Sequence, residues 1–440
     1  MISSRQTIYI LLILIVAFGA LLRLYHLDEE SIWLDEAVSI QASSASPMTI
    51  IQRTAVQESY PPLYYLLLHF WMEMFGSGVV AVRALSVLFG VAALPLIYLL
   101  GRALYGQWVG LISAFLLAVS PFHIYYSQEA RMYALFALLS LASAYALMNL
   151  LVQKKRLHFV AYVLFTALCL YTYYYSYFLL LFENLFVLWI ILRERQNRVS
   201  WKGWGLAQAL VFGLYMPWFW VALSQDTTGI DWIPSTPGTP EALWKYLSLT
   251  FYRFLYVDGS ITIYAIKVNA AALRRALSLV GLLAVLNLVS IKVGEDNSTG
   301  VAPENKVLFV LGYLFLIPVM AFLVSAFVRP IYLTRALILC VPPLCLMGAN
   351  GAVTGAKAMA KLARFPSLLA KAAVPVVSLL LLVVGTYWWD LSTRSLNNIY
   401  TIVQKEQWRE AVERSSGFHR TARPTRRPHC HYSRLCSDTI

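Results

Sequence analysis

Long apolar runs separated by short clusters of basic residues recur along the chain. A helix that crosses a membrane needs about 20 mainly apolar residues, because the hydrocarbon core is about 30 Å thick and each residue advances about 1.5 Å. The first run follows Arg5 and leads into no small-residue cleavage site, so we interpret it as an uncleaved span rather than a signal peptide. The pattern predicts eleven spans, at about 7–25, 79–101, 107–124, 131–152, 157–175, 177–192, 204–223, 272–292, 306–327, 331–350 and 371–389.

The apolar stretch from Pro61 to Phe75 is too short to span comfortably. It begins at a Pro-Pro pair and ends at Gly76-Ser77-Gly78. We therefore expect a helix that lies in the outer interface, within a first outer loop that covers residues 26–78. If this stretch spanned the membrane, every later span would reverse, and the basic clusters would lie outside.

Basic residues between the runs favour one orientation. Membrane proteins carry an excess of Lys and Arg in their cytoplasmic loops. With a cytoplasmic N-terminus, the inner loops carry Arg102, Lys154, Lys155, Arg156, Arg193, Arg195, Arg198, Lys202, Lys292, Lys306, Lys357, Lys361, Arg364 and Lys371. The exceptions are Arg253, Lys267, Arg274 and Arg275. An odd number of spans then places the C-terminus outside.

The composition agrees with a membrane protein. Hydrophobic residues make up 59% of the 440 residues and charged residues 13%, whereas globular chains average about 45–50% and about 25%. So few charges exclude a soluble enzyme, a secreted disulfide-rich domain and a disordered protein. The net charge of +13 is spread over the short basic clusters, which argues against a nucleic-acid surface. We expect an all-α polytopic membrane protein.

Acidic residues concentrate in the first outer loop. Residues 26–60 hold six of the chain's 22 Asp and Glu residues. Asp35 and Glu36 stand in the apolar sequence SIWLDEAVSI, where a partly desolvated carboxylate is placed to take a proton from an acceptor. The alternative is a solvated charged loop, which we favour for Asp28-Glu29-Glu30.

Two further segments carry charges near the outer side. In SPFHIYYSQEARMYALF (120–136), Arg131 is a candidate for binding a phosphate, and Glu129 a partner for Arg131 or for Arg83. The alternative is a structural ion pair between helix ends. In RPIYLTRALILCVPP, Arg335 lies about one turn into a span, where it either snorkels or reaches a buried anion. For Arg23, at the outer end of the first span, we expect snorkelling.

The order of these motifs resembles a known class. WLDEA after the first span, then YPPLYYLLLHFW, RALSVLFG and SQEARMYAL, are similar to the multi-span GT-C glycosyltransferases. The branch is that of protein O-mannosyltransferases and the aminoarabinose transferase of lipid A (glycosyltransferase family 39). The resemblance covers about residues 5–150, continues through Arg329–Gly348, and returns in KEQWREAVE (405–413), which is similar to the start of an outer domain in such chains.

The resemblance implies a function and roles. The donor is a sugar on a polyprenyl phosphate, and transfer to a lipid, glycan or protein acceptor inverts the anomeric centre. Asp35 would be the catalytic carboxylate with Glu36 in support, and Arg131 and Arg335 would bind the donor phosphate, supported by Glu129 and Arg83. The expected location is the outer face of a plasma membrane.

The sequence identifies no definite cofactor and leaves a divalent metal ion open. Tyr60-Pro61-Pro62 replaces the His-Pro-Pro or Lys-Pro-Pro of relatives, which leaves Glu58 as the candidate metal ligand. The alternative functions are a transporter or flippase of lipid-linked sugars, which would place charges near the bilayer midplane, and a non-catalytic assembly subunit. An oligosaccharide ligase would share the donor chemistry.

The predicted domain organisation has three parts. Residues 1–389 form the transmembrane catalytic domain, and residues 390–413 the start of an outer domain. Residues 414–440 contain six Arg, three His and two Cys without apolar periodicity. For this irregular basic tail we favour a frameshifted or truncated coding sequence over a native tail.

Overall fold

The structure, a computed structural model, describes residues 4–29, 31–56, 60–193, 200–225, 233, 235–256, 270–293 and 301–362. These residues form α-helices and one 3₁₀-helix, with no β-strand among them. In chain order the helices are α1 (Ser4–Leu24), α2 (Leu34–Ser43), α3 (Pro47–Val56), α4 (Leu63–Phe75), α5 (Val79–Tyr105), α6 (Gln107–Ala118), α7 (Pro121–Ser127), α8 (Tyr133–Gln153), α9 (Arg156–Leu170), α10 (Ser176–Arg193), α11 (Trp201–Ser224), α12 (Pro240–Leu255), α13 (Ala270–Val293), α14 (Pro303–Phe327), the 3₁₀-helix (Thr334–Cys340) and α15 (Val341–Leu362).

Eight helical segments within the described residues are long and apolar enough to cross a membrane. A bent pair, α6 and α7, makes a ninth candidate, and α9 is a shorter apolar helix. Each of the first ten predicted spans therefore coincides with a helix, which confirms the prediction of an all-α polytopic fold. The predicted span at 371–389 lies outside the described residues, together with 390–413 and the tail at 414–440, so the number of eleven spans stays a prediction.

Helix α8 forms the centre of the bundle. It packs against α5, α9 and the 3₁₀-helix, and most of its side chains are buried. Because α8 contacts neighbours on all sides, it is apolar around its whole circumference rather than on one face. Its N-terminal end at Tyr133 lies where the candidate site is built.

The third predicted span is broken. Helices α6 and α7 meet at an angle of 61°, and the break is stabilised by Arg23 of α1. The Arg23 side chain is fully buried, and its guanidinium donates to the carbonyl oxygens of Leu117 and Ala118 (3.1 Å each) in the last turn of α6. The expectation that Arg23 snorkels was wrong, because its side chain is fully buried and bonds to these carbonyls and to His123 Nδ1 (2.9 Å) inside the protein.

Three short helices, α2, α3 and α4, occupy the first outer loop. Helix α4 has 13 residues and so measures about 20 Å, less than the hydrocarbon core. Tyr64, Tyr65 and Leu68 are buried and attach α4 to the bundle. Helices are thus present where the sequence predicted them, and their position in the interface stays a prediction.

Helix α12 lies between α11 and α13, in a part of the chain where the sequence pattern predicted no span. Thr239 caps its N-terminus by accepting from the N–H of Ala242 (3.2 Å), and Pro240 occupies the first turn. Tyr246 of α12 packs edge-on against Tyr332 with ring centroids 5.1 Å apart. Helix α12 therefore covers part of the chain that leads into the candidate site.

Candidate active site

Three segments that are far apart in the sequence meet at one end of the bundle. They are the first turn of α2, the connection between α7 and α8 (residues 128–132), and the chain that leads into the 3₁₀-helix, which we call the 328–333 segment. The candidates Asp35, Glu36, Glu129, Arg131 and Arg335 lie on or directly after these segments. The structure brings together the acidic and the basic groups that the sequence singled out.

Glu36 and Arg83 form a buried ion pair. The Glu36 side chain is fully buried, and its two oxygens accept from Arg83 Nε (2.9 Å) and Nη2 (2.7 Å). Glu36 Oε1 also accepts from the backbone N–H of Ala130 at 2.8 Å. Arg83 further donates to the carbonyl oxygens of Leu27 (2.9 Å) and Ser31 (3.2 Å). The pair therefore ties the first outer loop, α5 and the α7–α8 connection together.

Asp35 is the more exposed of the two neighbouring carboxylates. Its side chain is 26% exposed, and its Oδ2 accepts from Arg335 Nη1 at 2.8 Å. The Arg335 side chain is 11% exposed, and its Cζ atom lies 5.7 Å from the centre of the Tyr133 ring. Arg335 thus pairs with a carboxylate of the protein itself, and its role in binding the donor phosphate stays a prediction.

Arg131 is buried beside the same carboxylate. Its Nη1 donates to the backbone carbonyl of Asp35 and to Ser39 Oγ, both at 3.1 Å. Its Cζ atom lies 5.1 Å from the centre of the Tyr60 ring, a cation–π contact. Arg131 Nε has no hydrogen-bond partner among the described residues. A buried guanidinium keeps its charge, so this cation has a donor group left for a bound anion.

Glu129 is a buried carboxyl in the α7–α8 connection. Burial raises its pKa to about 8, and the nearby charge of Glu36 adds to the rise. Its Oε2 has no hydrogen-bond partner among the described residues. At neutral pH Glu129 is therefore mostly protonated and adds little negative charge to the surroundings of Asp35.

The 328–333 segment is fixed by two hydroxyl groups. The Tyr175 hydroxyl donates to the carbonyl of Ile331 and accepts from the N–H of Leu333 (3.0 Å). Ser325 Oγ accepts from the N–H groups of Ile331 and Tyr332, both at 3.1 Å. The segment belongs to no helix, so these side chains replace the hydrogen bonds that a helix would supply. They set the position of the arginine that follows.

Tyrosine rings surround the charged groups. Tyr60 stacks on Tyr173 with centroids 5.6 Å apart, and Tyr173 stacks on Tyr175 at 5.4 Å. Tyr133 meets Tyr173 edge-on at 6.0 Å. These tyrosines were not predicted as site residues, although the run YTYYYSY at 171–177 is a signal in the sequence.

The predicted metal ligand Glu58 lies outside the described residues. Among the residues that the structure does describe, no group of three or more His, Cys, Asp or Glu side chains is placed to hold a metal ion. Asp35 is paired with Arg335 and Glu36 with Arg83, and a cation bound by either carboxylate would have to displace an arginine.

Comparisons with known proteins support the resemblance. Residues 59–220 match the family described as dolichyl-phosphate-mannose-protein mannosyltransferase. ArnT from Cupriavidus metallidurans in the apo state superposes with a TM-score of 0.55 at 13% identity, over 88% of this chain and 73% of that one. The chain therefore has the GT-C fold of these membrane proteins. It is accordingly a multi-pass membrane protein.

Two more structures share the GT-C fold with this chain. ArnT from Cupriavidus metallidurans bound to undecaprenyl phosphate gives a TM-score of 0.54 at 12% identity, over 88% of this chain and 75% of that one. The oligosaccharyltransferase AglB from Archaeoglobus fulgidus, in complex with an inhibitory peptide and a dolichol-phosphate, gives 0.58 at 11% identity, over 90% and 56%. No curated protein matches the sequence significantly.

Proposed function

We propose that this GT-C protein is a glycosyltransferase that moves a sugar from a polyprenyl-phosphate carrier to an acceptor at the outer face of a plasma membrane. The observation that carries the proposal is the Asp35–Arg335 pair, at 2.8 Å, with the buried Arg131 beside it. A carboxylate next to two guanidinium groups suits a reaction that removes a proton and releases a phosphate. The matched ArnT binds undecaprenyl phosphate, a ligand of the proposed kind.

Asp35 is proposed as the general base. An acceptor hydroxyl or amine gives its proton to the Asp35 carboxylate while its oxygen or nitrogen bonds to the anomeric carbon of the donor. The bond from that carbon to the phosphate oxygen breaks, and the polyprenyl phosphate leaves with the electron pair. Glu36 is occupied by Arg83, and Glu129 is buried and mostly protonated. With one carboxylate available, we infer a single displacement, which inverts the anomeric centre.

Arg131 and Arg335 are proposed to bind the donor phosphate. Guanidinium groups form bidentate, charge-assisted hydrogen bonds with phosphate oxygens. A phosphate that engages Arg335 would compete with the 2.8 Å hydrogen bond to Asp35 and release this carboxylate for the acceptor. Donor binding would thereby activate the base. Tyr60 and Tyr173 offer ring faces against which a sugar can pack.

Glu36 and Arg83 are proposed as positioning residues, because their ion pair is buried and holds the first turn of α2 against α5. Glu129 is proposed to stay mostly protonated, so that it adds little negative charge near the phosphate. The first outer loop and the 328–333 segment would form the rims of the groove for the lipid-linked donor. The proposed orientation has the N-terminus in the cytoplasm and the C-terminus outside.

To test the proposed function, the purified full-length protein is incubated with a panel of polyprenyl-phosphate sugars and with lipid, glycan and peptide acceptors. We expect one donor to be converted to polyprenyl phosphate with a new glycosidic bond, whose anomeric configuration by NMR is opposite to that of the donor. Retention would contradict the single displacement. If no donor is consumed, and vesicles with the protein instead equilibrate a lipid-linked sugar between leaflets, the proposed function is wrong and the chain is a transporter.

A further inference from the structure

A polar cavity lies at the end of the bundle opposite to the candidate active site. It has a volume of about 550 Å³ and opens between α5, α6 and α8. Arg83, at the active site, and Arg102, which lines the cavity, are 19 residues apart on α5. At about 1.5 Å per residue these two arginines lie about 28 Å apart along α5, close to the thickness of the hydrocarbon core. The cavity therefore lies at the level of the other membrane face.

The charged and amide groups of the cavity suit an anion. Its polar side chains are Arg102, Gln107, Tyr145, Asn149 and Gln153, and none of the acidic residues that the structure describes lines it. Arg102 is exposed, and none of the ion pairs formed by the described residues involves it. A guanidinium without a carboxylate partner, beside neutral amides, attracts a phosphate group.

Further positive charge stands at the rim. Lys154, Lys155 and Arg156 directly follow the lining residue Gln153, and all three are exposed. Juxtamembrane Lys and Arg residues attract anionic lipids at a membrane surface. The rim thus extends the preference for anions beyond Arg102.

The remaining lining is apolar. Leu99, Ala103, Met148, Val152 and Val301 form it, at the membrane-facing depth where acyl chains begin. The cavity is within the size range of ligand pockets, which is about 300–1,000 Å³. A free phosphate ion would use only the polar part, whereas a phospholipid would use both parts.

We propose that this cavity binds the headgroup of an anionic phospholipid, with Arg102 on the phosphate and the apolar residues against the start of the acyl chains. The site is separate from the candidate active site, and the proposal does not depend on glycosyl transfer. Its occupant would fill the space between the ends of α5, α6 and α8 and stabilise their packing.

The test measures the melting temperature of the full-length protein in a neutral detergent. The probes are phosphatidylglycerol, phosphatidylcholine with the same acyl chains, and inorganic phosphate. We expect phosphatidylglycerol alone to raise the melting temperature by a few degrees, because a ligand that binds only the folded state stabilises it. The Arg102→Gln variant should lose most of this shift relative to its own lipid-free value, and Arg102→Lys should keep part of it.

The matched control is Lys202→Gln, since Lys202 is an exposed cation at the start of α11 that does not line the cavity. This variant should keep the full shift. An equal shift with phosphatidylcholine would overturn the proposal, as would an undiminished shift in Arg102→Gln. If inorganic phosphate alone gives the same shift, the cavity binds a free ion and the lipid assignment is wrong.

Discussion

Asp35 and Glu36 are neighbours in the sequence but lie in different environments. Both stand in the first turn of α2, where successive residues point about 100° apart around the helix axis. Glu36 is fully buried against Arg83, whereas the Asp35 side chain is 26% exposed and bonded to Arg335. One carboxylate therefore holds the loop in place, and the other is accessible to a substrate.

Replacement of Glu36 separates these two roles. Glu36→Gln leaves the buried Arg83 without its counter-charge, and breaking such a pair costs about 3–5 kcal/mol. We expect the free energy of unfolding in detergent to fall by this amount, whereas Asp35→Asn should unfold nearly as wild type does. Equal stability of Glu36→Gln and wild type would show that the pair does not hold the loop.

The raised pKa of Glu129 predicts that the stability of the protein depends on pH. Its pKa is about 8 in the folded protein against an ordinary value of 4.5. Between these two pH values the folded state binds the proton more strongly than the unfolded state, so stability falls as the pH rises from about 4.5 to about 8. The melting temperature of wild type should fall relative to that of Glu129→Gln as the pH rises through this range. A difference that stays constant with pH would contradict the raised pKa.

The sequence predicted which residues gather at the site but not how they pair. Acidic residues in one outer loop and arginines at the ends of spans were visible, since charges are rare in this chain. The bond between Asp35 and Arg335 joins residues 300 positions apart, and no local pattern specifies such a contact. Arg23 was misjudged for the same reason, because its acceptors, Leu117 and Ala118, belong to a distant helix.

At the scale of the element, the Tyr175 hydroxyl is one of the two hydroxyl groups that fix the 328–333 segment. The Tyr175 hydroxyl bonds to both Ile331 and Leu333, so Tyr175→Phe leaves two backbone groups without this partner. Arg335 follows directly and should lose its fixed position. If the proposed function holds, we expect the KM for the donor to rise more than kcat falls, because this arginine binds the donor phosphate.

The control for this prediction is Tyr177→Phe. Tyr177 bonds to the hydroxyl of Tyr215, 2.7 Å away, rather than to the 328–333 segment. Its loss should leave the KM for the donor unchanged. Similar kinetics for the two variants would mean that the Tyr175 hydroxyl does not position the segment.

Helices were predictable where apolar residues run together, as in the spans and in α4, and not where the pattern is mixed. The break between α6 and α7 interrupts one continuous apolar run, and Pro121 at the start of α7 was its only local sign. Helix α12 is amphipathic and lies between Pro-rich and Gly-containing sequence, so it was missed. Helix α9 ends at Leu170, earlier than predicted, since the tyrosine run that follows folds as turns at the site.

At the scale of the whole molecule, the two ends of the bundle differ in charge. The active-site end carries Asp35, Glu36 and Glu129 together with the arginines that balance them. The opposite end carries Arg102 and the exposed basic run at 154–156. The predicted orientation places this basic end in the cytoplasm, and the chemistry is proposed for the end where the acids lie.

Sugar transfer by the Asp35→Asn variant decides whether this carboxylate performs the chemistry. With the donor that wild type consumes, the transfer rate should fall by at least about 10²-fold, the usual contribution of a general base. Asp28→Asn, which changes an exposed acid of the same loop, should transfer at the wild-type rate. If Asp35→Asn has the wild-type melting temperature and also the wild-type rate, Asp35 is not the base and the site must be sought elsewhere.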